Sequence, residues 1–159
     1  MEPLVIRRAT RADVPQVFKL IKGLAAYERR PQDVTGREDA LAYWLFERCV
    51  ATVLIGELEG RAVAYALYYP VFGSFAAEGR VHLEDLFVLP ELRGKGFGLQ
   101  MLSRIASEIL SEGYTGMEWS ALSWNTSAIQ FYSRQGATLD TGRTYMSFTH
   151  LQLQAFAEL

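Results

Sequence analysis

One cysteine, Cys49, stands in a chain of 159 residues, which excludes an internal disulfide. The two histidines, His82 and His150, lie far apart, so the usual zinc arrangements are excluded too and no metal centre is expected. Cys49 is read as a buried thiol in a reducing compartment. Charge of one sign is also missing. Sixteen basic residues against eighteen acidic ones leave a formal charge of −2, which gives no electrostatic case for nucleic acid or an anionic membrane surface. Long apolar runs are absent, and Met1–Arg11 alternates charge with apolar residues, so neither a signal peptide nor a spanning segment is read. The expected location is cytoplasmic. No repeat, low-complexity tract or linker interrupts the chain. What is present is a hydrophobic content of 50%, enough for one domain over residues 1–159 with its own core.

The informative stretch is His82–Leu110. His82–Leu89 is apolar and β-rich enough for a buried strand, and Pro90 closes it. Arg93-Gly94-Lys95-Gly96-Phe97-Gly98 then packs three glycines into a short turn. Leu99, Met101, Leu102, Ile105, Ala106, Ile109 and Leu110 follow at helical spacing, with Gly113 as a stop. Strand, glycine turn and helix in that order suit a phosphate: glycines let the backbone approach, and the helix start offers unpaired N–H groups. A Walker loop would need a hydroxyl after its Gly-Lys, and Gly98 is followed by Leu99. A dinucleotide fingerprint would read G-x-G-x-x-G, whereas this loop reads G-x-G-x-G. Glu118 lies at the distance of a ribose-binding acid but inside an apolar run. A ligand-free turn is the alternative. Arg93 and Lys95 count against it, because two cations beside a helix N-terminus otherwise oppose the dipole.

The rest of the chain predicts an α/β fold. Val5–Ala9 reads as a strand, and a helix capped by Asp13 runs to Tyr27-Glu28 with Val14, Val17, Phe18, Ile21, Leu24 and Ala25 on one stripe. Thr35 and Glu38 form a capping box for a second helix. Ala51–Leu58 and Ala62–Tyr69 are strands joined at Glu59-Gly60. Pro70–Gly79 is read as a flexible loop bordering a cleft. Met117–Leu122 is a strand parallel to the central one, Asn125 or Thr126 starts a short helix through Arg134, and Thr144–Thr149 is a last strand. Leu151–Leu159 is apolar enough to dock on the body or a partner. The sum is a mixed sheet of about six or seven strands with helices on both faces.

Arg93-x-x-Gly96-x-Gly98 resembles the acyl-CoA pyrophosphate loop of the GNAT N-acetyltransferase superfamily. The longer string Leu83-Glu84-Asp85-Leu86-Phe87-Val88, the glycine loop, Trp124-Asn125, Ala128-Ile129-x-Phe131-Tyr132 and Gly136-Ala137 is similar to the branch holding the diamine (spermidine/spermine) and thialysine acetyltransferases. Leu20-Ile21-Lys22 and Leu24-Ala25-x-Tyr27-Glu28 extend that likeness over nearly the whole chain. The resemblance implies the GNAT fold, acetyl-CoA as acetyl donor without a metal, and transfer to the primary amine of a small molecule. It also implies a homodimer. A protein or peptide N-acetyltransferase and a non-catalytic acyl-CoA sensor are the rival readings.

By that resemblance the backbone of Leu86, Phe87 and Val88 pairs with the pantetheine arm as an added strand would. Arg93, Gly94, Lys95, Gly96, Phe97, Gly98 and Leu99 hold the pyrophosphate, and Asn125, Ala128 and Tyr132 complete the cofactor site. Glu84 and Asp85 are two carboxylates in an apolar strand. Neighbouring strand residues face opposite sides, so at most one points into the cleft. The family pattern favours Glu84 as base, directly or through water, with Asp85 structural. Tyr132 is the acid: a phenol near pKa 10 can return a proton to a thiolate whose conjugate acid lies near 8.5. Tyr27, Glu28 and Glu84 form the amine side. Arg29-Arg30 departs from the acidic run usual after the Tyr-Glu pair. Either the Arg29-Arg30 pair is simply solvated, or Glu28 binds an ammonium and Arg29 or Arg30 a carboxylate, in which case an amino acid such as lysine or thialysine suits the site better than spermidine.

Overall fold

The computed structural model describes residues 4–158, so Met1–Pro3, part of the N-terminal alternation, and Leu159 lie outside the described residues. Two units divide after Ser120.

The first unit carries a five-stranded sheet in sequential order, β1 (Val5–Arg8), β2 (Thr52–Leu58), β3 (Arg61–Gly73), β4 (Glu78–Val88) and β5 (Met117–Glu118). The first three ladders are antiparallel and β4–β5 is parallel, giving the expected mixed sheet. Glu59 and Gly60, both at positive φ, close the β2–β3 hairpin as their sequence signals. β3 and β4 run on to Gly73 and Glu78, so the loop expected over Pro70–Gly79 shrinks to residues 74–77. Ladder pairing of Val71 with Arg80 and Phe72 with Gly79 stiffens what the glycines suggested was mobile.

Helices cover both faces. α1 (Val14–Tyr27) buries Val17 and Leu20 against Val53, Ile55, Tyr65 and Phe87. α3 (Phe97–Ser111) buries Phe97, Met101, Ile105 and Ile109, one per turn, against Leu54, Ala64, Ala66, Val81, Leu83 and Val88. Each such side chain contributes about 2 kcal/mol, enough to fix the helix start that carries the glycine loop. Gly23 is where α1 comes closest to β4: a Cβ there would stand 3.1 Å from Cε1 and Cζ of Phe87. A methyl there would require the Phe87 ring to give by a few tenths of an ångström.

Local signals were redirected in three places. Asp13 precedes α1, yet its carboxylate accepts from Thr10 and from the Arg7 guanidinium rather than capping the helix. That ion pair holds the Asp13 carboxyl well below the usual carboxylate range. α2 (Glu38–Ala42) begins after Arg37 without a side-chain cap, so the Thr35/Glu38 box does not form, and a π-turn over Tyr43–Glu47 follows. Cys49 sits at φ 50° and is exposed, not buried. A left-handed turn out of the π segment carries it outward.

The second unit holds α4 (Thr126–Arg134) and α5 (His150–Ala157). Asn125 caps α4, its Oδ1 accepting from the Ala128 amide at 3.2 Å, and Gly136 closes it at φ 86°. Thr144–Thr149 forms no strand, and Met117–Leu122 is reduced to two strand residues, so the described sheet has five strands rather than six or seven. Alternation alone does not make a strand: residues 144–149 are all exposed and enter no ladder among the described residues.

Candidate functional site

The β3–β4 ladder pairs Tyr68 with Leu83 and Leu67 with Asp85, passing over Glu84. This extra residue is a β-bulge, and it shifts the facing of everything after it. Val81 and Leu83 belong to the α3-side core, and beyond the bulge Leu86 and Val88 do. Phe87 belongs to the α1 side. The expectation that Glu84 and Asp85 face opposite ways is therefore corrected, because strand alternation does not hold across a bulge. Tyr65 donates to Asp85 Oδ2 at 3.0 Å and Tyr69 donates to Glu84 Oε2 at 3.0 Å. Tyr65 and Tyr69, four apart on β3, share one face. Both carboxylates meet it.

Their environments differ. Glu84 keeps about half of its side-chain surface, 52%, open. Asp85 is half-buried, and desolvation pushes its carboxyl up to about 6. The hydrogen bond from Tyr65 opposes the rise, while the charges of Glu84 and Glu28 add to it. Tyr65 is driven far above the ordinary phenol range by burial and by Asp85, so it stays a donor. Glu28 thus belongs to the same electrostatic cluster, brought there by the C-terminal end of α1.

Arg93 ties the glycine loop to that cluster. Its Nε donates to the Val88 carbonyl at 3.0 Å, and the guanidinium lies 4.0 Å over the Tyr27 ring and 5.4 Å from the Phe87 ring centroid. Arg30 binds Asp33 at 2.6 Å, and Arg29 takes φ 60°. Past Arg93, Gly94 and Gly96 adopt φ 74° and 83°, with open space where a Cβ would stand, so glycine is needed for conformation and not for room. The first helical bond near the loop runs from Gln100 to the Gly96 carbonyl. The amides of Phe97, Gly98 and Leu99 come before it, at the positive end of α3, and Lys95 adds a cation.

β4 and β5 pair at Val81 with Met117 and at His82 with Glu118, and the ladder ends there. From Leu83 to Val88 the outer edge of β4 has no paired strand among the described residues, so Leu86, Phe87 and Val88 stand on an open edge. An open sheet edge leading into an anion-receiving helix start fits an extended chain ending in phosphates.

In the second unit Asn125, Ala128 and Tyr132 recur at helical spacing on one face of α4. Burial pushes the Tyr132 phenol up to about 12, and its ring packs edge-on against Phe131 at 5.0 Å. The first unit brings together Tyr27, Glu28, Glu84 and Arg93 with the glycine loop. Asn125, Ala128 and Tyr132 belong to the other unit.

Residues 19–137 match the acetyltransferase (GNAT) family. The chain belongs to the GNAT acetyltransferases. Among relatives of this GNAT enzyme, the thialysine N-epsilon-acetyltransferase of Sus scrofa is 32% identical over 146 residues, covering 86% of this chain and 85% of that one. The L-ornithine N5-acetyltransferase of Arabidopsis thaliana is 27% identical over 200 residues, covering 97% and 88%. An integron cassette protein from the mobile metagenome of V. cholerae superposes with a TM-score of 0.81 at 25% identity over the full length of both chains. Among the described residues no helix is long and apolar enough to cross a membrane, and no group of three or more His, Cys, Asp and Glu is placed to hold a metal.

Neither motif nor alternation singles out Tyr65, Tyr69 or His82. Tyr65 and Tyr69 at i and i+4 in a strand were a usable signal, but only together with a register that lays them opposite Glu84 and Asp85.

Proposed function

We propose that this GNAT acetyltransferase moves the acetyl group of acetyl-CoA directly to the primary amine of a small diamino compound, best a lysine- or thialysine-like amino acid. The observation that carries the reading is that Glu84 and Asp85 meet Tyr69 and Tyr65 on one face of the sheet, where the charge of Glu28 is also felt. Such a cluster attracts an ammonium and rejects an acidic partner. Arg30 is neutralised by Asp33, which removes one of the two arginine charges that would repel a cation. Relatives whose names record thialysine and L-ornithine as substrates support an amino acid with a distal amine.

In this reading Glu84 takes a proton from the ammonium, directly or through a water, and the freed amine attacks the thioester carbonyl. Arg93 to Leu99 receive the pyrophosphate, and the Leu86–Val88 edge orients the pantetheine arm. The second unit carries Asn125 and Ala128, to which the reading gives contacts with the cofactor, and Tyr132, kept protonated by burial, to which it gives the return of a proton to the departing thiolate. The reading includes a homodimer, supported by the exposed Tyr145, Met146, Phe148 and Leu151. It also includes a cytoplasmic location.

Glu28→Gln tests the amine side. It should raise KM for the amine about tenfold and leave KM for acetyl-CoA within twofold. An unchanged amine KM would remove Glu28 from the site.

A further inference from the structure

Acetylation of an ammonium has a proton left over. The nitrogen begins with three; the amide keeps one as the N–C bond forms, and the thiol takes one as the C–S bond breaks. The third must reach bulk water in every turnover. Glu84, on the reading above, is the group that receives it, and it must pass that proton on before it can serve again.

The flank of Glu84 away from the loop is built differently. His82 Nε2 lies 3.6 Å from Glu84 Oε2, the oxygen that also accepts from Tyr69. The His82 and Tyr69 rings are stacked, with centroids 5.2 Å apart and planes 26° from parallel, so the imidazole is held in orientation. Ladder pairing fixes both ends of this contact: His82 stands opposite Tyr69 on β3 and opposite Glu118 on β5, at the last rung before β4 and β5 part. The His82 side chain keeps 12% of its surface exposed, a narrow path to water. The charged and titratable groups around it are Glu84 on its own strand, Tyr69 on β3, and Glu118 on β5, which is 3.7 Å from Arg80. Asp85 lies beyond Glu84.

We infer that His82 is a positioning and proton-accepting partner of Glu84, which clears the proton taken from the amine and resets the base for the next turnover. The proposal rests on Glu84 being the base. Accepting at Nε2 takes the neutral ring with its proton on Nδ1, the form open to it once Glu84 is protonated and no longer draws an N–H toward itself. After the amine gives its proton to Glu84, rotation of the carboxyl hands it to Nε2, and the imidazolium passes a proton to water. No bond other than these N–H and O–H bonds changes, and no electron is transferred. Imidazole suits the step because its ordinary pKa lies between that of a carboxylate and bulk solution near neutrality.

The test is steady-state acetylation at a saturating amine concentration by wild type, His82→Gln and His82→Phe, at fixed pH and ionic strength, with imidazole added in steps. Phe keeps the ring stack on Tyr69 and removes the proton acceptor. Both variants should lose about tenfold or more in kcat with KM for acetyl-CoA unchanged, and added imidazole should restore kcat in the variants but not raise it in wild type. A wild-type kcat in both variants overturns the proposal. So does a loss that does not respond to imidazole, which would make His82 a packing residue for Tyr69. Full activity in Glu84→Gln overturns the assignment of the base itself and the proposal with it. In that case a histidine effect, if present, would have another origin.

Discussion

The Tyr65 hydroxyl donates to Asp85 across the β3–β4 ladder at 3.0 Å, on the face of the sheet that α1 covers. Tyr65 is fully buried, and its phenol is locked in the protonated form. The pair does not neutralise Asp85. It compensates part of a burial cost that the neighbouring Glu84 and Glu28 increase.

That cost sets a pH dependence. The Asp85 carboxyl is raised in the fold from an ordinary 3.8 to about 6, so the folded state prefers it protonated. Its contribution to stability is fully present below the unfolded value, and is lost as pH rises through about 6. Asp85→Asn keeps an acceptor for Tyr65 and removes the charge. Its melting temperature should exceed that of wild type by roughly 5 °C at pH 8 and match it near pH 4. Equal shifts at both pH values, measured by thermal denaturation, would contradict the burial account.

Arg93 should affect both substrates. Arg93→Ala removes the stack on Tyr27 and the bond to the Val88 carbonyl, so KM for the amine and for acetyl-CoA should each rise about threefold to tenfold. Arg93→Lys should recover little, since a lysine lacks the planar guanidinium. A rise confined to acetyl-CoA would mean that the Tyr27 contact is idle.

Tyr132→Phe keeps the ring and its packing on Phe131 but deletes the proton. If Tyr132 is the acid, kcat falls about a hundredfold or more, with KM for acetyl-CoA little changed. Activity close to wild type would reassign the acid.

Gly23→Ala probes the helix crossing. Alanine favours a helix by about 1 kcal/mol over glycine, yet its Cβ would stand 3.1 Å from a Phe87 ring that is itself packed in the core. The net effect in denaturant unfolding should be a loss of about 1 kcal/mol. Phe87→Leu in the same chain should recover part of it. An outright gain in stability would show that Phe87 can move aside.

What was legible in the sequence was local. Three glycines between an apolar strand and a helical stripe announce the turn, and Gly94 and Gly96 do take the left-handed values such a turn needs. Asn125 announces the α4 cap, and Glu59-Gly60 the hairpin. What was not legible depends on register. Alternation placed Glu84 and Asp85 on opposite sides, and one skipped rung puts both against tyrosines of the same face. The gap between β4 and β5 is likewise a property of where a ladder stops. Thr144–Thr149 looks like a strand because its apolar residues alternate, but a strand exists through its partner. His82 seemed an isolated histidine until Tyr69 and Glu84 were placed around it.

What most needs testing is transfer of acetyl to a small cationic amine held by Glu28 and Glu84. It is tested most directly by release of CoA thiol from acetyl-CoA with thialysine, lysine, ornithine, spermidine and a lysine-containing peptide offered separately. Turnover is expected with the diamino acids, weaker turnover with spermidine, and little with the peptide. Turnover with the peptide alone, or acetyl-CoA binding with no thiol release on any amine, would contradict it.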